Sequence, residues 1–484
     1  MQADSNPIIP TQAEHKPLRQ IADLPGPRPL PLVGNMLQIT LRRMHQDAER
    51  WARQYGKFFR IFLGPTQVLV VADYEAVGQL MRDRPDGFRR PSITAEIALE
   101  MGGLPGVFDS EGAQWRNQRR MVMPAFAPVT IKAYFPALVK VVLRLQGRWE
   151  RAAAAQQAID LTADLKRYTV DIIAGLAFGT EVNTIDSDDD VIQKHLDNIF
   201  PALSRRSLAL VPYWRIFKLP VDRQLDRSVA AIQVAVNDFI AQARARLQAD
   251  PSRVDHPRNM LEAMIVAADQ SDSGVDDSSV AGNVLTMLLA GEDTTANTLA
   301  WIMYLLQRNP HTLQRAQEEV RRIAPDPAAF NIEQMDALEY LDACAHEAMR
   351  LKPVAPFIPL QALRDSVVAD IAVPKDSIVW CVLRHDSVDE KYFPKPLDFD
   401  PQRWLKQGGA EATADKRIPM PFGAGPRTCP GRYLALLEIK IAMAMLLSRF
   451  EIDSIEPADG QEAQERMGFV MSPVGLRMHL RTRI

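Results

Sequence analysis

Cys429 lies in the stretch PFGAGPRTCPGRYLALLEIK (Pro421 to Lys440) and is one of only three cysteines in 484 residues. Pro430 suits the first position of a helix whose apolar face carries Leu434, Leu437 and Ile441, so the thiol is expected at a helix start. There the helix dipole and free backbone N–H groups favour thiolate over thiol. Gly423, Gly425 and Gly431 let the backbone approach the sulfur, where N–H groups would tune its electron density. With no CxxC partner, zinc and iron–sulfur sites are excluded, which leaves haem ligation or nucleophilic catalysis. An ordinary buried cysteine does not account for three glycines and three prolines in this stretch.

Three further spacings place chemistry-bearing residues on helices. In VLTMLLAGEDTTANTLAWIMYLL (Val284 to Leu306), Asp293, Thr294 and Thr295 interrupt an apolar helix, where threonine competes for backbone carbonyls. Local violations of this kind tend to mark function, and Thr294 can bond back to the carbonyl of Ala290. Glu347 and Arg350 in EAMRLKPVAP stand three apart on one helical face, which suits a charge-assisted hydrogen bond. Trp115 and Arg119 in DSEGAQWRNQRRMVMPAF stand four apart on another. Taken singly, the last two pairs are ordinary features of solvated helices.

The elements that must position these groups follow from pattern. Hydrophobic content of 47% and charged content of 24% are those of a globular chain, long enough to bury a large core. A net charge of −3 argues against a nucleic-acid partner. Cys344, Cys381 and Cys429 are too scattered for a disulfide framework and fit a reducing, cytoplasmic compartment. The polar, proline-rich start has no apolar run fit for a signal peptide or membrane anchor. Residues 1–24 are expected as a flexible tail and residues 25–484 as a single domain. Helical period marks Ala137–Ala154, Asp164–Phe178, Val229–Gln248 and Thr312–Ile323. KFFRIFLGPTQVLVVAD (Lys57 to Asp73) reads as a hairpin around Gly64-Pro65, and SIVWCVL (Ser377 to Leu383) as a β piece. Asp269 to Ser279 reads as a polar surface loop, and Gly468 to Arg481 as a terminal hairpin. The expected class is mainly α with a minor β portion.

Phe422, Gly425, Arg427, Cys429 and Gly431 together match FxxGxRxCxG, and on this motif the chain resembles the cytochrome P450 superfamily, soluble and bacterial in type. The resemblance implies the P450 fold, with a long distal helix over haem b and the cysteine loop on the proximal side. Cys429 would be the thiolate ligand of the iron. Phe422 would pack on the sulfur side, Gly423 and Gly431 would shape the loop, and Arg427 would pair with a haem propionate. Ala290, Gly291, Asp293, Thr294 and Thr295 match (A/G)Gx(D/E)T(T/S), the family's distal pattern. Asp293 and Thr294 would be its acid–alcohol pair, relaying protons through water to the oxygen being activated. Glu347, Arg350 and Arg403 (the last in FDPQRWL) would form a structural cluster that does no chemistry. Trp115 and Arg119 would hold a propionate, and Arg384 or His385 the other. The motifs keep the family order over nearly the whole chain.

The resemblance implies a haem-thiolate monooxygenase that inserts one oxygen atom from O2 into a hydrophobic small molecule. Hydroxylation or epoxidation of a fatty acid, terpenoid, steroid or polyketide-like molecule all fit. By position, its pocket would draw on Phe108, Leu289, Ala290, Val354, Ala355, Phe357 and Phe469. Thr66 and Gln67 occupy the early hairpin turn, so no basic anchor for a carboxylate stands there. No flavin or iron–sulfur domain and no GxGxxG loop is evident, so a separate ferredoxin or flavodoxin with its reductase is implied. Arg116, Arg120, Lys416, Arg417 and Arg432 could dock such an acidic carrier. A monomer without a membrane anchor is expected. Two alternatives remain open. One is a haem-thiolate isomerase, dehydratase or peroxygenase, which needs no electron partner and often lacks the acid–alcohol pair. The other is a non-enzymatic haem-binding sensor.

Overall fold

Capping residues set the ends of the two helices that build the centre of the molecule. Asp160 accepts the Ala163 N–H at 3.2 Å and starts one of them, which ends on Gly179 in the left-handed region at φ +65°. Asp276 accepts the Ser279 N–H at 2.9 Å and starts the other. The computed structural model describes residues 17–179, 182–187, 195, 198–207, 209, 211–406, 414–457 and 459–483. In chain order the principal helices begin with α1 (Met44–Tyr55), α2 (Tyr74–Arg82), α3 (Ser92–Glu100), α4 (Gly112–Val122), α5 (Pro128–Ala154) and α6 (Leu161–Phe178). They continue with α7 (Ile199–Ser207), α8 (Pro220–Ala249), α9 (Met260–Ala268), α10 (Asp277–Gln307), α11 (Pro310–Ile323), α12 (Glu339–Leu351) and α13 (Arg432–Arg449).

The β portion is small. β1 (Arg19–Gln20), β2 (Phe58–Leu63), β3 (Thr66–Val71), β4 (Phe88–Arg89) and β5 (Ile159–Asp160) precede the long helices or fall between them. β6 (Phe357–Ala362), β7 (Ser366–Val368), β8 (Ile371–Val373) and β9 (Ile378–Val382) follow α12. β10 (Phe450–Pro457), β11 (Glu465–Met467), β12 (Met471–Pro473) and β13 (Leu476–Thr482) close the chain. The largest sheet has the order β2-β3-β9-β6-β4. Its β2–β3 hairpin pairs Leu63 with Thr66 across the expected Gly64-Pro65 turn, and β3 runs parallel to β9 with Val68 opposite Ile378.

α10 is buried along most of its length and packs on α6. The two come close at Gly291, where an added Cβ would lie 2.5 Å from Ile173 Cγ1. A larger side chain there would push the helices apart, typically at about 1–3 kcal/mol. One apolar core runs from Ala48 to Leu480 and includes the fully buried Trp149 and Trp301. Each such side chain contributes about 1.5–3 kcal/mol by leaving water. That packing fixes α10 against both α6 and α13.

Several expectations change. Arg19 and Gln20 pair in parallel with Ile371 and Ala372, and Ile21 and Leu24 are buried, so residues 19–24 belong to the folded body. The rest of the expected tail, residues 1–16, lies outside the described residues. The loop from Asp269 ends at the Asp276 cap, because α10 begins at Asp277. The last hairpin is β11–β12, with Glu465 opposite Pro473, whereas β13 leaves it to pair with β10 and β5. Alternating apolar residues along β13 fit either partner, which is why pattern alone misassigned it. Among the described residues, no single helix is long and apolar enough to cross a membrane.

The β11–β12 hairpin is bolted at its base. Glu465 accepts from Arg384 Nη1 at 2.7 Å and Nη2 at 2.9 Å, from Lys352 Nζ at 2.7 Å and from Gln46 Nε2 at 2.9 Å. His45 Nε2 lies 2.8 Å from the same carboxylate. Burial alone would raise the Glu465 carboxyl, but the His45 and Arg384 partners outweigh it and hold it well below the usual carboxylate range. Glu49 accepts from Arg384 Nε at 2.8 Å and Nη2 at 2.9 Å, and the Leu351 carbonyl accepts from Nη1 at 3.4 Å.

Candidate active site around Cys429

The cysteine loop is held from both sides. The Cys429 N–H donates to the Phe422 carbonyl at 2.9 Å, and Arg119 Nη2 donates to the Thr428 carbonyl at 2.7 Å. Gly425, at φ +72°, docks on the end of α2; an added Cβ would lie 2.6 Å from the Met81 carbonyl oxygen. Gly423 shares that positive φ, and the Phe422 ring carries the Arg432 guanidinium at 5.7 Å. Gly431 is the N-cap of α13, so Cys429 lies before the helix and Pro430 does not open it. The thiol is accessible on one side yet crowded on the others. Burial pushes it up from its ordinary pKa, against the pull of the Gly431 N–H and the Arg119 charge. A ligated metal would remove the proton outright.

Beside the loop, four guanidinium groups gather around two carboxylates. Arg427 donates to the Ser110 carbonyl and to Glu111, and lies 4.9 Å from the Trp115 ring. Its charged neighbours are Glu111, Arg84, Asp109 and Arg119. Arg90 donates to the Phe108 carbonyl at 3.0 Å and stacks 3.3 Å above the Phe108 ring. Burial lowers Arg90 to about 9 and Arg427 to about 10, and in both the other arginines add to the effect. Burial raises Asp109 and Glu111. Arg427 Nε is buried without a hydrogen-bond partner. The set carries a surplus of two positive charges.

On α10, Thr294 Oγ1 donates back to the Ala290 carbonyl at 2.7 Å. Ala290 is exposed in the middle of a buried helix because it opens, with Thr294, on a cavity of about 450 Å³. Phe108, Leu289 and Phe469 also line it, and the Phe108 and Phe469 rings meet at 5.6 Å. Asp293 turns the other way: its carboxylate lies 2.8 Å from Lys166 Nζ on α6. No hydrogen bond joins the Asp293 and Thr294 side chains, so the expected acid–alcohol pair is split between two faces of the helix. One residue further on, Thr295 bonds Glu438 of α13, which is 2% exposed. Burial pushes the Glu438 carboxyl up to about 8, with the Thr295 hydroxyl opposing.

Glu347 and Arg350 meet in two parallel bonds of 2.7 and 2.8 Å, both residues fully buried. Arg403 Nε at 3.3 Å and Trp404 Nε1 at 2.9 Å complete the Glu347 carboxylate. Arg350 also donates to the carbonyls of Ser387, Pro396 and Asp398 and so ties down the segment between them.

Some expected residues stand elsewhere. Val354, Ala355 and Phe357 are absent from the described cavity wall. The Val354 carbonyl takes the Met471 N–H, and Phe357 packs edge-on to Trp380 at 4.7 Å. Arg384 is spent on Glu49 and Glu465. His385, lowered chiefly by burial, sits among Asp386, Lys57, Asp389 and Arg53 and shares no charged neighbour with Arg427. Neither joins the arginine set. Arg84, Arg90, Asp109, Glu111 and Lys166 were not singled out from sequence, because their partners lie in distant segments and no local spacing marks them.

A family model described as Cytochrome P450 matches residues 24–480. The chain belongs to the cytochrome P450 family. Cytochrome P450 3A27 from Oncorhynchus mykiss is 25% identical over 474 residues, covering 95% of this chain and 89% of that protein. Cytochrome P450 3A25 from Mus musculus is 25% identical over 452 residues, covering 90% and 86%. Self-sufficient cytochrome P450 monooxygenase CYP505U2 from Exserohilum turcicum is 26% identical over 469 residues, covering 96% of this chain but 42% of that protein. This P450 is a haem-thiolate monooxygenase with haem b as its cofactor. The residues fit that group: an accessible thiol under the Gly431 N–H, and two uncompensated positive charges where haem b carries two propionates.

Proposed function

We propose that this P450 oxygenates a neutral, apolar small molecule held in the 450 Å³ cavity, drawing electrons from a separate acidic carrier protein. The cavity wall carries the reading. Its described residues include no lysine, arginine or histidine, and its two carboxylates, Asp109 and Glu111, belong to the arginine set beside the cysteine loop. Thr286 and Thr294 spend their hydroxyl protons on the Gly282 and Ala290 carbonyls, both at 2.7 Å, and so offer mainly lone pairs to a ligand. A terpenoid, steroid or polyketide-like skeleton suits such a wall better than a carboxylate-anchored fatty acid.

When bound, the haem supplies dioxygen activation; Cys429 would ligate it, with Arg427, Trp115 and Arg119 towards its propionates. The chain supplies orientation and protons. Leu289, Phe108 and Phe469 hold an apolar substrate and exclude bulk water. Thr294 Oγ1 accepts from a cavity water and can release its own proton by turning off the Ala290 carbonyl. Asp293 must first leave Lys166 to recharge that water from the far side of the helix. The electron carrier would dock on a groove of about 390 Å³ beside the cysteine loop, lined by Arg82, Lys416, Arg417 and Arg432. Arg417 and Arg116 are already engaged by Asp415 and Asp86, which leaves Arg82, Lys416 and Arg432 as the stronger recognition points. A cytoplasmic monomer completes the proposal.

Thr294→Ala tests it. The variant should keep haem and bind substrate, because it removes a hydroxyl and a methyl from a helix held by packing. Product per NADPH should fall by roughly tenfold to a hundredfold, the lower end of general acid–base effects, while released hydrogen peroxide per NADPH rises. Unchanged coupling would reduce Thr294 to helix packing and remove the proton path from the reading.

A further inference from the structure

Of the four guanidinium groups beside the cysteine loop, three have partners. Arg427 holds Glu111 and Ser110, Arg119 holds the Thr428 carbonyl, and Arg90 holds the Phe108 carbonyl. Arg84 has none. It is 5% exposed, and its Nε and Nη2 are buried without a hydrogen-bond partner. Burying a cation without a counter-charge is strongly unfavourable, so such a group marks a missing anion.

The chain offers no candidate for that anion among the described residues. The nearest carboxylate neighbour is Glu111, already engaged by Arg427. The other neighbour, Cys381, is fully buried, and burial pushes its thiol up to about 12, so it stays neutral. An ordered water would satisfy the N–H groups but not the charge, and Arg90 and Arg427 in the same cluster deepen the surplus. Arg84 also follows directly on the end of α2, where Gly425 of the cysteine loop docks against Met81 and Arg82. Its backbone is therefore fixed relative to the loop that carries Cys429.

We propose that Arg84 is a further anchor of the haem carboxylates, taking propionate charge that Arg427, Arg119 and Trp115 do not neutralise. A planar guanidinium matches a carboxylate in two parallel bonds, and a propionate is the one resident anion that this P450 brings to the site from outside its own sequence.

The test separates charge recognition from packing. Holoenzyme is prepared with haem b or with its propionate dimethyl ester, in the parent, Arg84→Met and Arg84→Lys, and haem loss to excess apomyoglobin is timed. In the parent the ester should leave at least about tenfold faster than haem b, as expected when a charge-assisted hydrogen bond is lost. In Arg84→Met, haem b should leave about tenfold faster than from the parent, and esterification should then add much less. Arg84→Lys, which keeps the charge without the fork, should fall between, and it carries the comparison alone if Arg84→Met yields no holoenzyme. The proposal is overturned if esterification speeds haem loss by the same factor in parent and variant, the result expected if Arg84 meets only water or packing.

Discussion

Two charged clusters are buried within this P450, and they are built on opposite terms. Around Glu347, Arg350 and Arg403, every charge meets its partner within the chain, and the spare N–H groups go to four backbone carbonyls. Around Arg427, four guanidiniums face two carboxylates, and buried nitrogens on Arg84 and Arg427 have no hydrogen-bond partner. The first cluster is complete as folded. The second is complete only with anions from outside the sequence. A closed cluster is structural, and an open one is a binding site even where both are equally buried.

Breaking the closed cluster should have the largest effect. Arg350→Ala takes the two-bond partner from buried Glu347 and leaves it Arg403, Trp404 and the Asp400 N–H, at a cost of about 3–5 kcal/mol. A sharply lower melting temperature with poor haem incorporation is expected; thermal denaturation at parental temperature would show that the cluster is not holding the fold. Glu438 offers an intermediate case, a buried carboxyl with a hydroxyl but no cation. Its folded pKa of about 8 lies above the unfolded value, so its stabilising contribution is full below about pH 4 and is lost as pH rises through 8. Glu438→Gln should therefore be more stable than the parent at pH 9 and not at pH 4, at about 1.4 kcal/mol per unit of pKa separation at most. Equal pH profiles in denaturant titrations would place a counter-ion beside it. The smallest effect on the fold should come from the open cluster. Arg427→Gln removes one like charge from a surplus, so the haem-free protein should melt within a few degrees of the parent, while the loaded protein loses haem about tenfold faster or more. A large loss of haem-free stability would make this cluster as structural as the other.

The same contrast explains what could be read from sequence. Glu347 with Arg350, and Ala290 with Thr294, are partners within one helix, so their spacing alone puts them together. The cysteine loop was legible because its glycines answer to backbone geometry at Gly423 and Gly425. Of the open cluster, Arg119 and Arg427 were reached only through the family motifs, and Arg84, Arg90, Asp109 and Glu111 were not legible, because no local rule brings their distant segments together. Arg384 and His385 show the reverse error: adjacency to a motif suggested propionate contact, but Glu49 and Glu465 claim one and Lys57 and Asp386 surround the other. Val354, Ala355 and Phe357 were placed in the pocket by position, yet which way each faces is decided by the sheet and by Met471, not by hydrophobicity. Asp293 was assigned to a proton relay by type and motif, but a lysine on another helix determines where it points.

The clamp on Glu465 has a consequence for the timing of synthesis. Its partner His45 is 420 residues earlier in the chain, and Lys352 and Arg384 also precede it. At about 5–20 residues per second, roughly 20–80 s separate translation of His45 from that of Glu465. From its own synthesis until that of Glu465, Arg384 has Glu49 as its one carboxylate partner of the pair, and the hairpin tip bearing Phe469 does not yet exist. The substrate cavity is therefore closed by residues among the last to leave the ribosome, after the core helices α6 and α10 have had time to pair. A nascent chain stalled short of Glu465 would hold α6 beside α10, a core without the residues of β11 to β13, and a cavity without its wall at Phe469.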